Sequence, residues 1–181
     1  MSEKNTNKFL EMLPTMDDSR LINIYNNCIK AIAENKPNIE EAKYRLKLIE
    51  DEWDRRLVLY ENKEYKGVRP KVGLLAYLDY HVGEEGTKKK YRREILNRVF
   101  CGKLPFVQSK VYMRSWGEPG SKERLRKLAY SLGYFIEGKK KGHGWAKEAS
   151  YYEKAIIEWS EDLDYLKSTY YEGQFNFTWP D

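Results

Sequence analysis

Trp145, Ala149, Tyr152, Ile156, Trp159, Leu163, Leu166 and Tyr170 follow one another at gaps of four and three residues. Only a helix brings such a series onto one side of the backbone. The seam predicts a helix over 145–170 and obliges the rest of the chain to supply an apolar surface against it. Its tryptophans and tyrosines suit the mixed core of a bundle better than a two-stranded zipper, which favours leucine and β-branched residues.

The preceding sequence repeats the same period. Leu21, Ile24, Cys28 and Ile32 predict a helix over 16–35, with Thr15-Met16-Asp17-Asp18 as its cap region. After the break at Pro37, Ala42, Leu46, Ile49, Trp53, Leu57 and Tyr60 predict a second helix over 39–63, and the short link makes the two an antiparallel hairpin. Gly67 and Pro70 mark a boundary at 64–71. Beyond it come a short apolar helix at 72–82, a helix at 88–100, a single turn after Ser109, and a helix at 121–137 capped by Ser121. A basic loop through Gly138 and His143 leads into the seam. No internal repeat and no useful period-two stretch interrupts this pattern. The expectation is an all-α chain of about six helices: a helical hairpin (1–64), a basic helical domain (70–172) and an aromatic C-terminal tail (173–181).

Composition narrows the function. The 26 aromatic residues (5 Trp, 15 Tyr, 6 Phe) among 181 speak for a packed core despite 34% charged residues. No apolar run is long enough to span a bilayer. No apolar leader follows Met1, and two cysteines make no disulfide framework, so a cytoplasmic protein without membrane contact is expected. Phosphate-binding, nucleophile-elbow and zincin motifs do not occur, which argues against an enzyme and against any cofactor or metal. Cys28 reads as core, and Cys101 has no histidine partner in sequence. His81 with Glu84 and Glu85 could form an acid/base or metal cluster but reads as a polar helix end, because Gly83 breaks the helix between them.

The charge is uneven. Residues 67–142 hold 18 basic and 7 acidic side chains, whereas residues 143–181 hold 3 and 8. Cations concentrate on the helix at 88–100 (Lys88, Lys89, Lys90, Arg92, Arg93, Arg98), on that at 121–137 (Arg124, Arg126, Lys127) and in Lys139, Lys140 and Lys141. A cationic surface with Tyr91, Tyr112, Trp116 or Tyr130 beside it suits a polyanion: the cations neutralise phosphates and the rings stack on bases. The connection between the two basic helices is too long for a helix-turn-helix. The acidic group Glu158, Glu161, Asp162 and Asp164 reads as a counter-surface or a solvated face. The nucleic-acid reading therefore requires the cations to stand clear of it, on one outward patch.

Several stretches resemble a family of bacterial proteins, mainly alphaproteobacterial, for which no activity is established. These are Tyr80-His81-Val82-Gly83, Arg92-Arg93, Ile95-Leu96, Leu104-Pro105, Tyr112-Met113, Trp116-Gly117-Glu118-Pro119-Gly120-Ser121 and Arg124-Leu125-Arg126-Lys127-Leu128-Ala129, with Glu52-Trp53 and Arg55-Arg56 further upstream. The resemblance implies no catalytic residue. It does imply that 102–121 is a defined element rather than slack loop.

The function expected on these grounds is a non-enzymatic module binding DNA or RNA through its basic surface. The alternative is a protein-interaction module, an adaptor or inhibitor. Its docking groups would be Tyr112 and Trp116 in the long connection and Phe175, Phe177 and Trp179 in the tail, or the basic face would meet an acidic protein partner. A nuclease with dispersed carboxylates is a third reading.

Overall fold

A computed structural model describes residues 3–64, 70–141 and 152–180. They hold eight α-helices: α1 (Glu3–Met12), α2 (Asp18–Ala33), α3 (Ile39–Glu61), α4 (Leu74–Tyr77), α5 (Lys89–Cys101), α6 (Lys110–Arg114), α7 (Lys122–Lys140) and α8 (Glu153–Leu166). A π-helical turn, Lys167–Tyr171, extends α8. No strand occurs among the described residues, so the chain is all-α as its periodicity requires.

The predicted hairpin is α2 against α3. Asp17 caps α2 by accepting a hydrogen bond from the Arg20 N–H, two residues past Thr15 in the predicted cap region. Leu21, Tyr25, Cys28 and Ile29 face Leu46, Ile49 and Trp53, and Tyr25 meets Trp53 at 4.7 Å between ring centroids. The second layer is α5, α7 and α8, with α7 lying along α8 and α5 contacting both. Helix α5 also packs on α2, and Leu21, Leu46, Leu96, Leu125 and Leu166 belong to one continuous hydrophobic core. The expected boundary near 64–71 therefore separates no independent core; residues 65–69 themselves lie outside the described residues.

Some boundaries move. Residues 3–12 form a helix ahead of the first predicted one. The apolar helix expected over 72–82 is only α4, with positive φ at Asp79 and Gly83 beyond it. Helix α7 runs on through Lys140, so Lys139 and Lys140 are helical rather than part of a loop. The seam is helical from Glu153 onward; its first residues, and His143, lie outside the described residues.

Three buried arginines fasten the irregular segments to this frame. Arg56 of α3 donates to the Leu13 and Met16 carbonyls at 3.2 and 2.6 Å, and to Glu52 and Asp18. Arg92 of α5 donates to the Thr87 carbonyl at 2.8 Å. Arg124 of α7 gathers the 102–121 connection. A guanidinium carries five donors in a rigid fork and so satisfies several carbonyls that would otherwise be orphaned.

Candidate nucleic-acid interface

The two basic helices lie in different surroundings. Arg92 is 1% exposed. Its Nε donates to Asp162 at 2.7 Å, and Nη1 lies 3.0 Å from Glu158. The Tyr80 hydroxyl donates to the same Asp162 oxygen at 2.8 Å, and the Gly83 N–H donates to Glu158 at 2.7 Å. Burial pulls the Arg92 guanidinium toward neutrality, but Asp162 and Glu158 more than offset it and hold it charged. Burial pushes the Asp162 carboxyl up, with Arg92 and Tyr80 opposing. This cluster joins α5, α8 and the 78–87 connection in the interior.

The remaining α5 cations are also engaged. Lys89 pairs with Glu161 at 2.9 Å, and that contact draws the Glu161 carboxyl below its ordinary range. Lys90 lies 3.8 Å from Glu34, and Arg98 lies 3.1 Å from Glu94. The Arg93 guanidinium sits 4.5 Å from the centre of the Tyr165 ring. Lys88 alone among the six is exposed with neither an ion pair nor a ring contact among the described residues. The expected single patch is thus corrected: Arg92 cannot reach a phosphate, and the acidic side of α8 neutralises Arg92 and Lys89 from within.

Arg124 is a second correction. It is 4% exposed. Nε donates to the Trp116 and Gly117 carbonyls, Nη1 to those of Val99 and Gly102, and Nη2 to Gly117 at 2.6 Å. Val99 and Gly102 stand at the C-terminal end of α5, so Arg124 caps that helix where its dipole is negative. Burial lowers the guanidinium to about 10, with the Glu118 carboxylate opposing, so it remains charged at neutral pH. Gly117 adopts a φ of +69°, and a Cβ there would lie 2.7 Å from Glu123 Cβ. Glycine is therefore needed in the turn that Arg124 grips.

The outward side of α7 differs. Lys122, Arg126, Tyr130 and Tyr134 are exposed at successive four-residue steps, about 6 Å apart along the axis, and Lys127 flanks them. Arg126 lies 5.5 Å from the Tyr130 ring centre, and Lys127 lies 5.8 Å from that of Tyr112. Lys122, Arg126 and Lys127 make no ion pair among the described residues, whereas Lys141 pairs with Glu137 at 3.1 Å. Lys140 is exposed, and Lys139 sits 3.9 Å from the Tyr152 ring centre. Tyr134 is 77% exposed and, with Lys122, completes a stripe that counting cations does not isolate. The i, i+4 spacing from Lys122 to Tyr134 is the signal that finds it.

The aromatic docking groups are largely packed. Trp116 is 2% exposed, and the Tyr112 hydroxyl accepts from the Leu74 N–H. Tyr91 is buried with its hydroxyl donating to Glu34. Phe175 packs on Phe100, while Phe177 and Trp179 pack on Tyr171. The tail lies on α7: Tyr130 donates to the Thr178 carbonyl, and a Cβ on Gly133 would come within 2.8 Å of Pro180 Cβ. Trp116 is therefore corrected from an exposed docking group to a buried packing group, whereas Phe175, Phe177 and Trp179 are half-buried against the bundle.

No group of three or more metal-ligating side chains occurs among the described residues, and no described helix is long and apolar enough to cross a membrane. The chain matches no family model, no curated protein and no solved structure.

Proposed function

We propose that the protein is a binding module for single-stranded nucleic acid, and that the outward side of α7 is its contact surface. The observation that carries this reading is the exposed series Lys122, Arg126, Tyr130 and Tyr134, flanked by Lys127, in which no cation is matched to a carboxylate among the described residues. Unpaired cations attract phosphates, and tyrosine faces interleaved with them offer stacking to unpaired bases. Duplex bases are already stacked on one another and gain nothing from such rings. Lys139 and Lys140 extend the cationic series toward the C-terminal end of α7. Arg92 and Arg124, which hold the fold together, take no part.

Fluorescence anisotropy of labelled oligothymidine and oligouridine, titrated at several salt concentrations, tests the reading. The intact chain should bind the single strands more tightly than a duplex of random sequence, with affinity falling as salt rises. An Arg126→Ala/Lys127→Ala/Tyr134→Ala variant should fold normally and lose most of that binding. Equal binding by the variant, or none by the intact chain at low salt, removes the proposal.

A further inference from the structure

On its inner side Arg124 borders a groove of about 370 Å³ between α3, α6 and the 102–121 connection. That volume lies in the range of small-ligand sites, which are mostly apolar with a few converging polar groups. Leu57, Leu104, Phe106 and Met113 supply the apolar lining. The charged residues around it are mostly matched to each other: Lys103 pairs with Asp54 at 2.6 Å, and Lys110 pairs with Glu61 at 2.5 Å.

Two cations are left over. Arg114, an exposed lining residue, makes no ion pair among the described residues. Arg124 has only carbonyls as hydrogen-bond partners. Nε spends its one N–H on the Trp116 and Gly117 carbonyls, Nη1 spends two, and Nη2 spends one on Gly117. Of the five guanidinium N–H groups one on Nη2 stays unused. Arg56 and Arg92, the other two buried arginines, both have carboxylates in contact. Arg124 is thus the buried arginine that hydrogen-bonds only to carbonyls; the Glu118 carboxylate, also on the groove wall, acts on its charge without forming an ion pair, and a ligand carboxylate would meet both.

We propose that this groove binds an apolar ligand ending in a carboxylate, with the carboxylate directed to Arg124 and the apolar body over Leu104 and Met113. The chemistry is shared by a free aryl- or alkyl-carboxylic acid and by a peptide whose last residue is apolar. The site lies on the opposite side of α7 from the Lys122–Tyr134 stripe and stands or falls independently of it.

The test is a titration of the full chain followed by the methyl resonances of Leu104 and Met113. Phenylbutyrate is compared with phenylbutanol, and a peptide ending in phenylalanine as the free acid is compared with its amide. Each acid that binds should give saturable shifts at both methyls, with its neutral counterpart about tenfold weaker, since a charge-assisted hydrogen bond to a guanidinium is lost. Tighter binding of the peptide acid names a chain terminus as the ligand; tighter binding of phenylbutyrate names a small acid; either supports the site. Equal binding of acids and neutral analogues, or no saturable shift with any of them, overturns it. Because Arg124 caps α5, its replacement endangers the fold. Met113→Asp is the better variant: Met113 is half-buried on the short helix α6, and the new carboxylate would repel the ligand's. If that variant melts normally and still binds the acid unchanged, the assignment fails.

Discussion

Helices α5 and α7 are both rich in Lys and Arg, and by composition either could be a phosphate-binding surface. Their cations meet different fates because of what lies across from them. Helix α5 runs between the end of α2, which presents Glu34, and the acidic side of α8, which presents Glu158, Glu161 and Asp162. Helix α7 turns its apolar stripe to α8 and its cationic side to solvent. The contrast is sharpest within α7 itself. Arg124 and Arg126, two residues apart, sit about 200° apart around the axis; one is a buried carbonyl ligand and the other an exposed cation. A basic helix is therefore informative about a polyanionic partner only after the side chains spent on the fold have been removed from it.

The largest effect expected from breaking this contrast is at Arg92. Arg92→Ala leaves Asp162 and Glu158 without their buried cation and should cost about 3–5 kcal/mol in urea unfolding. A midpoint unchanged from the parent would return Arg92 to the surface and restore α5 as a candidate interface. Next comes the pair on α7. Arg124→Ala strips four carbonyls of their donor and should cost about 3 kcal/mol, whereas Arg126→Ala should stay within about 0.5 kcal/mol. In binding the order reverses: Arg126→Ala should reduce the slope of log affinity against log salt by about 1. Similar melting of the two variants would erase the distinction between the two sides of the helix.

Tyr134→Ala sharpens the reading of the exposed stripe. It should weaken oligothymidine binding by about 1–3 kcal/mol through lost stacking and leave thermal stability unaltered. A loss that vanishes at high salt would point to charge alone.

The smallest effect is a titration on the α5 side. The Tyr91 hydroxyl hydrogen bond is the main reason the Glu34 carboxyl lies at about 2 rather than its ordinary 4.5, with Lys36 next and Lys90 a minor aid. A carboxylate depressed by folding contributes stability that is present above pH 4.5 and lost as pH falls toward 2. Tyr91→Phe should move the Glu34 resonance titration upward and shrink the acid-sensitive part of stability. An unmoved titration would detach Glu34 from α5.

Much of the fold was legible from spacing. The seam from Tyr152 to Leu166, the stripe from Ala42 to Trp53, and the caps Ser109 and Ser121 follow from local rules, because a helix that buries one side must repeat apolar residues at its own period. The candidate interface was legible only as a region. Lys88–Arg93 and Arg124–Lys127 look alike in sequence, since helical spacing places a residue on a side of its own helix but says nothing about what stands opposite. Trp116 illustrates the same limit: in sequence it is an aromatic residue in a long connection, and in the fold it is a buried anchor under the turn that Arg124 grips.

What the sequence determined alone was local: helical periods, caps and breaks, an all-α class, and a cationic middle with an acidic end. Which cations remain available was decided by tertiary structure. Ion pairing between Arg92 and Asp162 joins residues 70 positions apart, and no window along the chain contains both. Charge neutralisation depends on distance in space, which only the packing of α8 against α5 supplies.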